Sequence, residues 1–354
     1  MTSLMLIYRI CKKGSRQETL RFPVGFCCIL RLNRLYGIIL LSYWLEVKPV
    51  KEQLQEILDE CRHYIEEGKV ADYIPELAKA NKNEFGICVM SDADTIVCAG
   101  DFHKKFTLQS IIKPLVLLLA LMDNGAEKVR ELVGVEATGK PFDAFNYSDQ
   151  ALRGEHINPM INTGAIALCT LVRGNTYQEK FERLLDLART ISGNPALQVD
   201  EQVYLSEKKT GNKNRALAYM LKAYDMLHDD VEDVLDFYFK ACAIRASVVD
   251  LAKMAFVFAN GGVDLQTGRQ LFAKEYAQYV NAVLITCGMY DGSGDFAIRV
   301  GVPAKSGVGG GIMAIVPGKV GIGIYSPALN RKGNSLAGIK ALELLSHKWD
   351  LSIF

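Results

Sequence analysis

Apolar residues recur at helical spacing in some stretches of this chain and in short continuous runs in others. In residues 50–68, VKEQLQEILDECRHYIEEG, the positions Leu54, Ile57, Leu58, Cys61, Tyr64 and Ile65 fall three and four apart, which predicts an amphipathic helix that Gly68 is placed to end. Phe85 to Val89 and Thr95 to Ala99 are β-rich runs on either side of Asp92, Ala93 and Asp94, which predicts a hairpin. GGIMAIV and VGIGIYS flank Pro317 and Gly318 and predict a second hairpin. Between the hairpins, residues from about 106 to 290 read mostly as helix, and 335–348 as a closing amphipathic helix.

Strands at both ends with helices between them limit the architecture. The terminal strands can pair into one antiparallel sheet, the middle forms a helical subdomain, and the last helix returns to cover a sheet face. The expected fold class is therefore α+β, with a cleft between two lobes where small-molecule sites are commonly found.

Composition changes this picture only at the N-terminus. With 354 residues, 49% of them hydrophobic and 23% charged, the chain has the make-up of a soluble globular protein. Lys and Arg number 41 against 40 Asp and Glu, a net charge of +1. Residues 1–50 hold eight of the basic residues and two of the acidic ones, a local +6 that leaves the remainder at −5. A mildly acidic body argues against nucleic acid as a partner. Leu35 to Leu45 is apolar but too short to span a bilayer, and Arg31 and Arg34 set it apart from the apolar run before it. No secretion-signal layout is evident, so the expected location is cytoplasmic, with no membrane partner. Residues 1–48 read as a basic N-terminal extension, either unstructured or the product of a start codon placed too early, or else as an interfacial or targeting segment. The folded domain is expected to run from 49 to 354. Nine cysteines are scattered without a CxxC pair and read as buried thiols of a reducing compartment. Five histidines form no HxxxH or HExxH pattern, so no metal site is expected.

One stretch poses a chemical question. FTLQSIIKPLVLLLAL, 106–121, carries Lys113 into an otherwise apolar wall, three residues after Ser110. A buried ammonium without a partner is costly, so such a lysine is left in water, paired, or used as the neutral amine. On a helix, i and i+3 share a face, and the first turn directs N–H groups and a positive dipole end toward the serine. Pro114 fits near a helix start, where its missing N–H costs little. A desolvated lysine beside a serine is one way to make a base that activates a nucleophile. The chain has a second Ser-x-x-Lys, Ser206 and Lys209, so spacing alone leaves open both a catalytic pair and an exposed lysine on a first turn. Downstream, KSGVGGG (305–311) leads into an apolar strand. Glycines there let backbone approach a ligand, and the Val308 N–H can serve with that of Ser110 as an oxyanion donor; a flexible turn is the other reading.

Six longer stretches carry a family resemblance: GKVADYIPELAKA (68–80), AGDFHKKFTLQSIIK (99–113), INPMINTGAIAL (157–168), LDFYFKACAI (235–244), CGMYDGSGDFAIRVGVPAKSGVGGGI (287–312) and SPALNRKGNS (326–335). In this order they resemble the glutaminase family, serine-dependent amidohydrolases of the β-lactamase/transpeptidase-like fold, from about residue 50 to the end. The resemblance implies hydrolysis of L-glutamine to L-glutamate and ammonia, with no cofactor, by a homo-oligomer, a dimer or tetramer. It implies Ser110 as nucleophile, Lys113 as its base and Tyr290 as a proton relay. Tyr73, Gln109, Asn162, Glu207, Asn214 and Tyr238 resemble the substrate pocket, to which Ser110, Tyr290 and the Val308 backbone also belong. The chemistry is consistent with that assignment, since free glutamine offers an ammonium for Glu207, and a carboxylate that a tyrosine hydroxyl and an asparagine amide can bind. Ile112 departs from the serine or valine common in the family, and Lys213 and Arg215 flank Asn214, but no matched functional residue differs. Two other readings are a β-lactamase or peptidase of the same superfamily, against which this chain carries NPMIN (158–162) rather than SDN as its middle motif, and a non-catalytic amino-acid-binding protein of the same fold.

Overall fold

In the computed structural model, residues 49–93, 95–139, 157–264 and 267–354 are described; the extension 1–48 and Asp94 of the first turn lie outside the described residues. Helix α1 (Val50–Cys61) buries Leu54, Ile57, Leu58 and Cys61, the stripe its periodicity predicts. It does not run to Gly68. It tightens into a 3-10 turn, Arg62–Ile65, and Gly68 is needed for another reason: a Cβ there would lie 2.8 Å from the Ala328 carbonyl carbon, beside the bridge between Lys69 and Leu329.

The two predicted hairpins form as β1 (Gly86–Met90) with β2 (Ile96–Gly100), and later as a pair at the other end of the chain. Between them come β3 (Phe106–Thr107), a 3-10 turn Gln109–Ile112 and α2 (Lys113–Leu132), whose residues from Leu115 to Leu121 are all buried. Gly125, at φ 80°, kinks α2. The lobe continues with α3 (Asn162–Leu171), α4 (Tyr177–Ser192), β4 (Gln198–Val199), α5 (Glu201–Thr210), α6 (Asn212–Ala223), α7 (Val231–Cys242) and β5 (Ile244–Ala246). Next are α8 (Val248–Ala259), a small hairpin of β6 (Val263–Asp264) and β7 (Arg269–Gln270), α9 (Lys274–Cys287) and α10 (Ser293–Arg299). The chain closes with β8 (Ala304–Ser306), β9 (Gly311–Val316), β10 (Val320–Tyr325) and α11 (Leu336–Trp349). Among the described residues no helix is long and apolar enough to cross a membrane.

The terminal strands pair as expected into one antiparallel sheet, in the order β2-β1-β10-β9-β8. Alternation assigns its two faces. Ile87, Val89, Ile322 and Ile324 pack against Leu54 and Leu58 of α1 and Leu342 and Leu345 of α11. Met90, Met313 and Ile315 join the larger core that holds Leu251, Met254 and Phe258 of α8. Helix α8 is thus sandwiched between the sheet and the helical lobe, which is why its sequence is apolar on every side. Ser247 and Asp250 cap it reciprocally.

The cysteine reading is corrected at one pair. Cys88 and Cys98 face each other across β1 and β2 with Cα atoms 4.1 Å apart and form a disulfide. Strand register makes this pairing, and no local spacing announces it. Cys61, Cys169, Cys242 and Cys287 are free and buried.

Candidate active site

A cavity of about 350 Å³ opens where the 3-10 turn before α2 faces α3, α5, α6 and α7. Seven of the residues expected to bind substrate line it: Tyr73, Gln109, Ser110, Asn162, Glu207, Asn214 and Tyr238. Tyr73 stands on the rim, 54% exposed, and the other six are buried. Tyr290 and Val308 are not part of this lining. They border two neighbouring cavities of about 100 and 450 Å³ respectively.

Ser110 does not sit in the first turn of the α-helix, as its spacing from Lys113 suggested, but in the 3-10 turn that precedes it. Gln109, immediately before it, has φ 50°, a left-handed conformation that costs a non-glycine residue roughly 1–2 kcal/mol. Tyr290 likewise has φ 55°. Two strained residues thus flank the proposed chemistry, and neither is visible in the sequence.

Lys113 is completely buried. Its Nζ donates to Asn162 Oδ1 at 2.7 Å and to the Met160 carbonyl at 3.1 Å, which supplies the partners a buried amine requires. Tyr238 Oη also donates to Asn162 Oδ1, at 3.2 Å, and Asn162 Nδ2 donates to Asn214 Oδ1 at 2.9 Å. Asn162 is therefore more than a wall of the pocket, because it links the lysine to two further pocket residues. Gln109 Nε2 donates to Thr107 Oγ1 at 3.3 Å.

Glu207 is the acidic group of this cavity. Burial pushes its carboxyl up to about 8, and the Lys113 charge and a hydrogen bond from Gln109 act in the opposite direction. Its Oε2 is buried and makes no hydrogen bond, a costly state that a cationic ligand would relieve. Burial also raises the Tyr290 phenol, while hydrogen bonding with the Ser110 hydroxyl and the Val308 backbone draws it back. Ser110, Val308 and Tyr290 thus converge although they lie far apart in the chain.

Sequence reasoning used the glycines and Val308 of KSGVGGG and left Lys305 without a role. Lys305 is completely buried, and its Nζ lies 4.4 Å from the centre of the Tyr290 ring. The only signal was its membership of that motif. Among the described residues no group of three or more His, Cys, Asp or Glu side chains is arranged to hold a metal ion.

Comparison with known proteins gives consistent matches. A family model described as Glutaminase matches residues 68–354. A glutaminase of Clostridium tetani is 49% identical over 305 residues, 86% of this chain and 100% of that protein. A probable glutaminase from Bacillus subtilis complexed with 6-diazo-5-oxo-L-norleucine has a TM-score of 0.79 at 35% identity, covering 96% of this chain and 100% of that one. A Bacillus subtilis glutaminase in covalent complex with 5-oxo-L-norleucine has a TM-score of 0.79 at 38% identity, covering 86% of this chain and 100% of that one.

Proposed function

This chain belongs to the glutaminase family, and on that premise we propose that it hydrolyses L-glutamine to L-glutamate and ammonia through a glutamyl ester on Ser110. Neutral Lys113 takes the Ser110 proton as the hydroxyl oxygen attacks the side-chain amide carbon. The backbone N–H groups of Ser110 and Val308 hold the tetrahedral oxyanion. On its collapse the C–N bond breaks, Tyr290 gives a proton to the departing nitrogen, and Tyr290 recovers one from Lys113. Water then attacks the ester along the same route, releasing glutamate and restoring Ser110.

Glu207 pairs with the α-ammonium of glutamine, the Tyr238 hydroxyl and Asn214 amide bind its α-carboxylate, and Tyr73 and Gln109 flank the bound molecule. Asn162 orients Lys113 and holds the substrate amide. We assign all of this to residues 49–354, acting in the cytoplasm as a homo-oligomer, with residues 1–48 taking no part in the chemistry. The observation that carries the reading is the buried Glu207 carboxyl, with an oxygen free of hydrogen bonds, in the cavity that Ser110 lines. A ligand that satisfies it must bring a cation and reach Ser110 with an amide. Asparagine, one methylene shorter, falls short.

A coupled ammonia assay tests this. Glutamine is expected to release ammonia and asparagine far less, and Ser110→Ala is expected to abolish release while circular dichroism stays unchanged. Turnover by the Ser110→Ala protein would sink the mechanism.

A further inference from the structure

One side chain, Asn162, is shared between the lysine that serves as base and the residues that hold the α-carboxylate. It opens α3, Lys113 opens α2, Asn214 lies in the first turn of α6 and Tyr238 in α7. Four helices thus meet at one amide, and all four side chains are at least nine-tenths buried. Asn162 Oδ1 accepts from Lys113 Nζ at 2.7 Å and from Tyr238 Oη at 3.2 Å, which engages both of its lone pairs. Asn162 Nδ2 donates to Asn214 Oδ1 at 2.9 Å, and the Met160 carbonyl accepts a second N–H of Lys113 at 3.1 Å.

Counting protons makes this arrangement conditional on what fills the pocket. Tyr238 Oη carries one proton, which Asn162 Oδ1 takes. A carboxylate is an acceptor only, so an α-carboxylate bound by this hydroxyl must draw that same proton away. Asn162 Oδ1 then serves Lys113 without a competing donor, and the bond between them strengthens. A stronger acceptor on its N–H favours the protonated form of an amine, which makes Lys113 the better base. The path through Asn214 has the same sign. An Asn214 amide that donates to a carboxylate becomes a stronger acceptor at Oδ1, which polarises the Asn162 amide and enriches its own oxygen in turn.

We propose that the α-carboxylate of the substrate switches on the base, acting through Tyr238 and Asn214 on Asn162 and through Asn162 on Lys113. This rests on the pocket and the base assigned above. The enzyme then selects α-amino acid amides in the chemical step as well as in binding. Loss of the carboxylate is expressed in kcat and not in KM alone.

The test removes the carboxylate from the substrate and the hydroxyl from the protein. 4-Aminobutanamide keeps the ammonium and the amide of glutamine and lacks the α-carboxylate. With the unaltered chain its kcat is expected to be about 100-fold below that for L-glutamine, whatever its KM. In Tyr238→Phe the ratio of the two kcat values is expected to fall below about 10, because glutamine loses the benefit that 4-aminobutanamide never had. A purely structural role for Tyr238 would lower both values together and keep the ratio. If 4-aminobutanamide inhibits glutamine hydrolysis but is not turned over, the first expectation is met at its limit, and Tyr238→Phe is read from kcat for glutamine, expected to fall about tenfold. If Tyr238→Phe does not fold, Asn214→Ala cuts the other path and decides by the same readings. Equal kcat values for the two substrates, a ratio that the variant leaves unchanged, or a 4-aminobutanamide that neither reacts nor inhibits would overturn the proposal. A raised KM for glutamine with an unchanged ratio refutes the coupling alone, whereas wild-type KM and kcat in Tyr238→Phe would refute the pocket assignment as well.

Discussion

Burial holds the Glu207 carboxyl at about 8 against the pull of Lys113 and Gln109. Between its ordinary value and about 8 the folded chain keeps a proton there that the unfolded chain has lost. Folding stability therefore declines as pH rises through that window and levels off above it. Ammonium binding needs the ionised form, so the KM for glutamine should fall about tenfold per pH unit up to about 8, then flatten until the substrate's own ammonium titrates. Glu207→Gln removes both effects: the KM should rise about 100-fold and lose this pH dependence, while the melting temperature at neutral pH should rise. A variant that keeps the wild-type KM profile would remove Glu207 from the pocket. This residue was legible only through the family resemblance, since a glutamate in SEKKTGNKN could equally be an exposed charge. The surroundings of Lys305 were not legible, because its partners are two backbone carbonyls and a ring, and carbonyls leave no trace in residue type.

At the scale of elements, the two hairpins and α1 were readable because turn residues bound short apolar runs and helical spacing marks a single buried face. The strands β3 to β7, two or three residues long, were not, being shorter than any periodicity. Helix α8 was read as part of the helical lobe, because a sequence apolar all round does not say which two neighbours cover it. Its closeness to β10 depends on glycine. A Cβ on Gly323 would lie 2.1 Å from the Val248 carbonyl oxygen, and one on Gly321 2.2 Å from that of Ala252. These are helix backbone atoms, so the helix itself would have to move. Gly323→Val is therefore expected to destabilise the fold by about 3 kcal/mol or more, read from urea unfolding. An unchanged midpoint would show that α8 does not pack against the sheet at this distance.

Across the whole molecule, the order of strands, helices and strands was enough to infer one antiparallel sheet made from both ends of the chain and a cleft between two lobes. It was not enough to show that the cavity holds seven of the nine expected pocket residues while Tyr290, from outside its lining, meets both Ser110 and Val308. That convergence depends on close packing between turns and strands, such as Gly288 against Ala304. The central claim, an acyl intermediate on Ser110, is tested most directly by treating the full chain with 6-diazo-5-oxo-L-norleucine and mapping the modified residue by peptide mass spectrometry. The account predicts one 5-oxo-L-norleucine group per chain, on Ser110, with none on the Ser110→Ala protein. A group carried by any other residue, or an active enzyme that takes up none, would contradict it.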